Sequence, residues 1–245
     1  MALEVLITSG GTICKIDDVR HIGNFSSGST GALVAEEFLK HGNNFHYLYS
    51  KNGKRPFHEQ FIFNPRNDFY MEVEKMRKLY HQARELLGNL HEYPFLTFDD
   101  YRTKVKDLIT TKKIDVIVLA AAVSDYGVKE TQGKISSNEN NLDLKLIKLP
   151  KIISEVKQYS PKIYQVGFKL LSRVNPEELI ETAHDNLIKN NSDLVVANTL
   201  IEGSFADRKI YLITKDKQVL PCSARELPNK LVEFVSKDIN LSKKY

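Results

Sequence analysis

The chain has 245 residues, of which 42% are hydrophobic and 27% charged, with a formal net charge of +4. That supports one α/β domain with a proper core and is too mildly basic to mark a nucleic-acid binder. No apolar run reaches the roughly 18 residues of a membrane span, and the start of the chain shows no signal-peptide pattern. Cys14 and Cys222 stand far apart, in neither a metal-ligand nor a CxxC spacing. A reduced, cytoplasmic protein is expected.

Leu3 to Thr8 is an apolar, β-branched run that predicts a buried strand. Ser9-Gly10-Gly11-Thr12 follows, where glycines permit positive φ and close approach of backbone to a ligand. Asn24-Phe25-Ser26-Ser27-Gly28 then leads into a helical pattern over Thr30 to Leu39. A strand, a glycine-rich loop and a helix N-terminus together offer N–H groups and a positive dipole end to an anion. A nucleotide or phosphate cradle at the end of the first strand is the reading.

Phe45 to Tyr49 predicts a second strand, Lys51 to Pro65 an irregular loop, and Asp68 to Leu87 a long helix closing at Gly88-Asn89. Asp99 to Ile109 predicts a further helix. Ile114 to Val123 is the strongest strand signal, apolar on both faces after Asp115, as a central parallel strand should be. The polar stretch Ser124 to Asn141 suits a flap, and Leu142 to Ile147 alternates like a half-exposed strand. Pro150 to Val156 predicts a short helix, Tyr164 to Phe168 a strand, Pro176 to Lys189 a helix, and Asp193 to Ala197 a strand. Ile210 to Thr214 and Gln218 to Leu220 form a hairpin candidate. Leu227 to Ile239 is a terminal helix before a basic tail expected to fray. The predicted architecture is one α/β domain over 1–245, a Rossmann-like, doubly wound, mostly parallel sheet, with a helical insertion at about 52–112 and a flap.

A dinucleotide oxidoreductase is the first alternative for such a chain. It requires G-x-G-x-x-G running straight into a helix, whereas here Gly10-Gly11 is followed by a long detour before Asn24. Ser50-Lys51 stand where the ribose-binding acid belongs, and Tyr126 and Lys129 are one position too close for the pair of a short-chain reductase.

The ordered motifs ITSGGT, ID-x-VR-x-I-x-NFSSG-x-x-G, LAAAVSDY, GKI and VGFK, spread from Leu3 to about Leu220, resemble the phosphopantothenate–cysteine ligases. With no upstream flavin-binding decarboxylase domain in this sequence, and with NFSSG, LTFDDY and Phe168-Lys169-Leu170, the resemblance is to the stand-alone form. It implies a two-step amide synthesis in coenzyme A biosynthesis. The 4′-phosphopantothenate carboxylate attacks the α-phosphate of ATP or CTP, releasing pyrophosphate, and the L-cysteine amine then displaces the nucleoside monophosphate. Two anions must meet, so cations and Mg²⁺ are expected to offset their repulsion, and the acyl-nucleotide must be shielded from water.

The resemblance also implies roles. Asn24 would handle the acyl-nucleotide, an amide being able both to donate and to accept; as a bare sequence feature it is equally a turn or cap residue. Arg20 would meet a substrate phosphate or carboxylate, or is a plain surface arginine. Ser26, Ser27 and Gly28 would donate to the pantothenate phosphate, or simply cap the helix. Lys134, after Gly133, would close over the nucleotide from the flap, or is a solvated lysine. Gly10, Gly11, Ala121, Ala122, Asp125, Phe168 and Lys169 would surround the nucleotide, with Ala120 to Ala122 also serving sheet–helix packing and Phe168 also suiting the core. Asn186 and Asn190 fall near the positions where fused members carry triphosphate lysines, with Lys189 adjacent. The seven histidines form no metal constellation, so a metal should come with the triphosphate. A homodimer is implied, with the flap and the inserted helices as contacts. The competing class is a nucleotide-sensing or NADPH-binding module in which the same residues only hold a ligand.

Overall fold

The structure is a computed structural model and describes residues 2–138, 140–200 and 208–242. In chain order it runs β1 (Glu4–Ser9), β2 (Ile13–Lys15), β3 (His21–Gly23), α1 (Ser29–Lys40), β4 (Asn44–Ser50), α2 (Phe69–Leu87), β5 (Leu90–Phe95) and α3 (Phe98–Thr111). There follow β6 (Val116–Leu119), β7 (Tyr126–Gly127), β8 (Ile147–Lys148), α4 (Ile152–Tyr159), β9 (Tyr164–Ser172), α5 (Pro176–Lys189), β10 (Leu194–Leu200), β11 (Lys209–Thr214), β12 (Val219–Ser223) and α6 (Leu227–Ser242).

Eight strands form the central sheet in the order β12-β11-β10-β9-β6-β1-β4-β5. The six from β10 to β5 are parallel, and β11 and β12 add an antiparallel hairpin at one edge. Starting from β1 the chain winds outward through β4 and β5, returns to β6 on the other side of β1, and winds outward again. The winding direction reverses between β1 and β6, and in such sheets the carboxyl ends of those two strands open a ligand crevice.

Alternate side chains of each strand feed opposite faces. Val5 and Ile7 of β1 and Phe45 and Tyr47 of β4 pack against α1 and α6, through Val34, Phe38, Leu231 and Val235. Leu6, Leu48 and Ile117 face α3 and α4, through Tyr101, Val105, Ile152 and Val156. Leu179, Ala183 and Leu187 of α5 cover β10 and β11. The helices start where the sequence supplies acceptors: Asp68 accepts from Met71, Thr97 from Asp100 and Asn175 from Glu178, with Pro176 at the first position of α5.

Several elements differ from expectation for physical reasons. The ladder of β6 ends at Leu119 rather than Val123, because the following residues turn to bond the chain leaving β1: Ala122 N–H donates to the Gly10 carbonyl at 2.7 Å. Leu90–Phe95 is a strand that periodicity misses; its Pro94 is tolerated because β5 lies at the sheet edge. The stretch expected as an insertion therefore also supplies β5 and α3 to the main layers. On α2 the apolar positions Ala83, Leu86 and Leu87 pack on the core, whereas Met71, Val73 and Tyr80 are exposed and Glu72 is buried, accepting from Asn64 and Asn67. The alternating run from Leu142 forms a strand only at Ile147–Lys148; Leu142, Leu144 and Leu146 remain exposed. The last residues of the basic tail, 243–245, lie outside the described residues.

Leu231 of α6 is fully buried against the first face. Leu231→Ala should cost about 2–5 kcal/mol, a fall of roughly 4–20 °C in unfolding midpoint for a chain of this size. Leu33→Ala, on the exposed side of α1, should shift the midpoint by no more than about 2 °C. A Leu231→Ala protein melting with the wild type would show that α6 is not part of the core.

Candidate active site

A cleft of about 460 Å³ opens at the carboxyl ends of β6 and β9. Its lining comes from the chain beyond β6 (Ala121 to Asp125), the start of α4 (Lys151 to Ser154), β9 (Gly167 to Leu170) and the end of α5 (Asn186, Lys189, Asn190). Asn24 and Phe25 reach it from the β1 side. Of the expected residues the cleft thus gathers Asn24, Ala121, Ala122, Asp125, Phe168 and Lys169.

Asn24 is exposed, and its Nδ2 donates to the Val123 carbonyl at 3.1 Å, which sets its side chain across the end of β6. The surroundings of the two glycines leave no space for a side chain. A Cβ on Gly10 would collide with Ser50, and Gly10 sits at φ 86°, a left-handed conformation that glycine adopts without strain. A Cβ on Gly11 would come within 2.7 Å of the Asn24 carbonyl oxygen. What approaches these glycines is protein, and neither lines the cleft; Gly11 instead lets the Asn24 backbone lie over the β1 turn.

Ser26, Ser27 and Gly28 stand at the start of α1, beside the cleft rather than in it. Ser9 Oγ donates to the Gly28 carbonyl at 2.9 Å, and Lys54 N–H donates to the Ser27 carbonyl at 2.9 Å. The cap position is Gly28, which has no side chain; the serines before it bond the helix start, Ser29 N–H donating to Ser27 Oγ and Gly28 N–H to Ser26 Oγ, both at 3.4 Å, and the Ser27 and Ser29 hydroxyls bond each other at 2.8 Å.

Arg20 lies outside the cleft lining. Its guanidinium donates through Nε and Nη2 to Asp17 Oδ2 at 2.9 and 2.6 Å, and through Nη2 to the Ile135 carbonyl at 2.6 Å. Arg20 and three backbone N–H donors hold the Asp17 carboxyl far below the usual carboxylate range. Lys134 is exposed, next to Ile135, and also outside the lining.

The cleft is cationic. Lys151, Lys169 and Lys189 line it, and Asp125 is the one carboxylate in its lining, paired with the Lys151 ammonium. Sequence reasoning missed Lys151, although Pro150 fixed the start of a helix whose preceding residue had to face the strand ends. It also missed Ser154, whose hydroxyl donates to Asn190 Oδ1 at 2.7 Å, and Phe25, which is wholly exposed at the cleft mouth. Asn186 and Asn190 are held by helix carbonyls, Asn186 by Thr182 and Asn190 by Asn186. Beneath them Tyr101 donates to Thr8 Oγ1 at 3.1 Å, closing the floor. Among the described residues no three His, Cys, Asp or Glu side chains gather to hold an ion.

The family model described as DNA/pantothenate metabolism flavoprotein C-terminal domain matches residues 1–62 and 94–238, leaving out the stretch that contains α2. The chain is 33% identical over 238 residues to the coenzyme A biosynthesis bifunctional protein CoaBC of Methanocaldococcus jannaschii, covering 96% of this chain and 50% of that protein. It thus spans about half the length of that relative. It is 33% identical to phosphopantothenate–cysteine ligase 1 of Arabidopsis thaliana, covering 80% of this chain and 69% of that one. Its structure superposes on a Cab2 variant in complex with phosphopantothenate-cysteine with a TM-score of 0.79, at 25% identity, over 98% of this chain and 88% of the other. With the domain match spanning both halves of the sheet, the chain belongs to the phosphopantothenate–cysteine ligase family, built on the DNA/pantothenate metabolism flavoprotein C-terminal domain.

Proposed function

We propose that this chain joins 4′-phosphopantothenate to L-cysteine in coenzyme A biosynthesis, at the expense of a nucleoside triphosphate. One observation carries the reading: a crevice at the carboxyl ends of β6 and β9, lined among the described residues by three lysines and one carboxylate, with the Asn24 amide fixed at its mouth. A polyanion is attracted to that excess of positive charge, and an amide there can donate to an acyl or phosphoryl oxygen.

In the first step a carboxylate oxygen of phosphopantothenate bonds to the α-phosphorus and pyrophosphate leaves. In the second the cysteine nitrogen bonds to the acyl carbon, the acyl–oxygen bond breaks, and the nucleoside monophosphate departs as the amine loses its proton. Lys169 and Lys151 are placed to offset triphosphate charge, with Lys189 at the far wall; Phe168, Ala121 and Ala122 leave room for the nucleoside. Mg²⁺ would enter with the triphosphate, keeping several waters, and would add further positive charge at the phosphates; Asp125, paired with Lys151, suits hydrogen bonding to the base or ribose. Gly10, Gly11 and Gly28 shape the loop that presents Ser26 and Ser27 toward the pantothenate phosphate. Two buried free thiols, Cys14 and Cys222, accord with a reducing cytoplasmic setting.

Pyrophosphate release assayed with CTP and ATP side by side tests the reading. It should require phosphopantothenate, and multiple turnover should require cysteine as well. Nucleotide binding without pyrophosphate release would favour the sensing module instead.

Asn24→Asp preserves size but puts a negative charge beside a phosphorylated intermediate. Amide formation should slow more than acyl-nucleotide formation, so the acyl-nucleotide should accumulate; near-normal overall turnover would remove Asn24 from the chemistry. Lys134→Gln should slow acyl-nucleotide formation on the order of a hundredfold, roughly 3 kcal/mol, if the flap lysine closes on the departing pyrophosphate. Its unfolding midpoint should not move, since Lys134 is exposed. A single-turnover rate equal to the wild type would exclude that role.

A homodimer completes the proposal. Leu142, Leu144 and Leu146 leave an alternating apolar run exposed beside the β7–β8 ribbon, an edge that a second copy could extend. Light scattering at micromolar concentration should give twice the 28.0 kDa chain mass; a monomer would contradict it.

A further inference from the structure

The β2–β3 ribbon carries Asn24 at its base and a tight turn at its tip, where Ile16 and Asp17 N–H both donate to the Arg20 carbonyl. The Asp17 side chain in that turn is wholly buried. Five donors converge on it: Val19 and Arg20 N–H on Oδ1 at 2.9 and 2.8 Å, and Arg20 Nε, Arg20 Nη2 and Ile135 N–H on Oδ2 at 2.9, 2.6 and 3.1 Å. With its acceptor sites filled in this way, Asp17 has no capacity left for a proton or a metal ion.

The last donor belongs to the flap. Ile135 donates its N–H to Asp17 and accepts from Arg20 on its carbonyl, so both polar groups of one flap residue are held by one ion pair. Further bonds run along the same seam: Thr131 N–H to the Ile16 carbonyl at 2.9 Å, Asp18 N–H to the Gly133 carbonyl at 3.3 Å, and Lys15 to Glu130 at 3.5 Å. Lys134 sits between two residues that are tied to the turn, yet its own side chain is exposed. The ribbon therefore links the backbone of Lys134 to that of Asn24.

We propose that Asp17 and Arg20 are positioning residues, a carboxylate–guanidinium clamp that holds the Lys134 segment in fixed register with Asn24 for nucleotidyl transfer. This rests on the ligase reading and on Lys134 acting on the nucleotide. A neutral amide at position 17 cannot replace the carboxylate, because it presents a donor to one of the two donor sets. Lysine cannot replace Arg20, because one point charge cannot serve Asp17 and Ile135 with a fork.

The test measures acyl-nucleotide formation without cysteine in Asp17→Asn, Lys134→Gln and the double variant, together with hydrogen exchange at the Ile135 amide of the ligand-free protein. Asp17→Asn should speed Ile135 exchange about tenfold or more and slow acyl-nucleotide formation on the order of a hundredfold. The double variant should be no slower than Lys134→Gln alone, since both changes remove one function. Arg20→Lys should give the same pattern and stands in if Asp17→Asn fails to fold. Unchanged Ile135 protection overturns the clamp, and multiplying rate losses overturn its action through Lys134. A fast Lys134→Gln enzyme sinks the role of Lys134 itself and with it the clamp as a catalytic device, while the exchange data still report whether the two segments are joined.

Discussion

Everything at the site depends on how the chain leaving β1 is joined to the chain leaving β6. At the switch point of a doubly wound sheet these two strands are neighbours, but the connections that follow them diverge to opposite faces. Here they stay together for a few residues more. Ala122 N–H donates to the Gly10 carbonyl at 2.7 Å, Thr12 N–H to the Ala122 carbonyl at 3.2 Å, and Ser124 N–H to Thr12 Oγ1 at 3.0 Å. These bonds are buried or nearly so, where an unmade backbone bond would cost the desolvation of its groups. The joint explains why β6 is short.

From that joint two excursions rise above the sheet edge. The β2–β3 ribbon comes from the β1 side and ends at Asn24; the flap comes from the β6 side and passes through Lys134. They meet twice, at the Asn24–Val123 bond beside the cleft and at the Asp17–Arg20–Ile135 clamp away from it. Between the strand ends and helices α4 and α5, Lys151, Lys169 and Lys189 line the cleft.

Much of this was legible in the residues, because local signals and global packing agreed. Asn175-Pro176 followed by Leu179, Ala183 and Leu187 fixes both the start and the buried face of α5. The unbroken apolar run after Asp115 marks a strand covered on both sides. Failures arose where tertiary context overrode the pattern. Pro94 hid β5, whose edge position no periodicity reveals. Exposed apolar residues in the first turns of α2 extended a stripe of which only the later part, from Ala83 to Leu87, packs on the core, while Glu72 is buried near its start. Asn24, Asp125 and Lys169, which sit in long motifs, all line the cleft. Lys151 was missed because only the fold brings the start of α4 to the ends of β6 and β9. The pairing of Arg20 with Asp17 was not legible, because the burial of the carboxylate three residues earlier is visible only in three dimensions.

The central claim is that one crevice transfers a nucleotidyl group to a carboxylate before the amide forms. Isotope transfer tests it most directly. With 4′-phosphopantothenate labelled with ¹⁸O in its carboxylate, one turnover with cysteine should leave one labelled oxygen in the nucleoside monophosphate and none in pyrophosphate. Label appearing in inorganic phosphate, with a nucleoside diphosphate as the other product, or no label transfer at all, would contradict it.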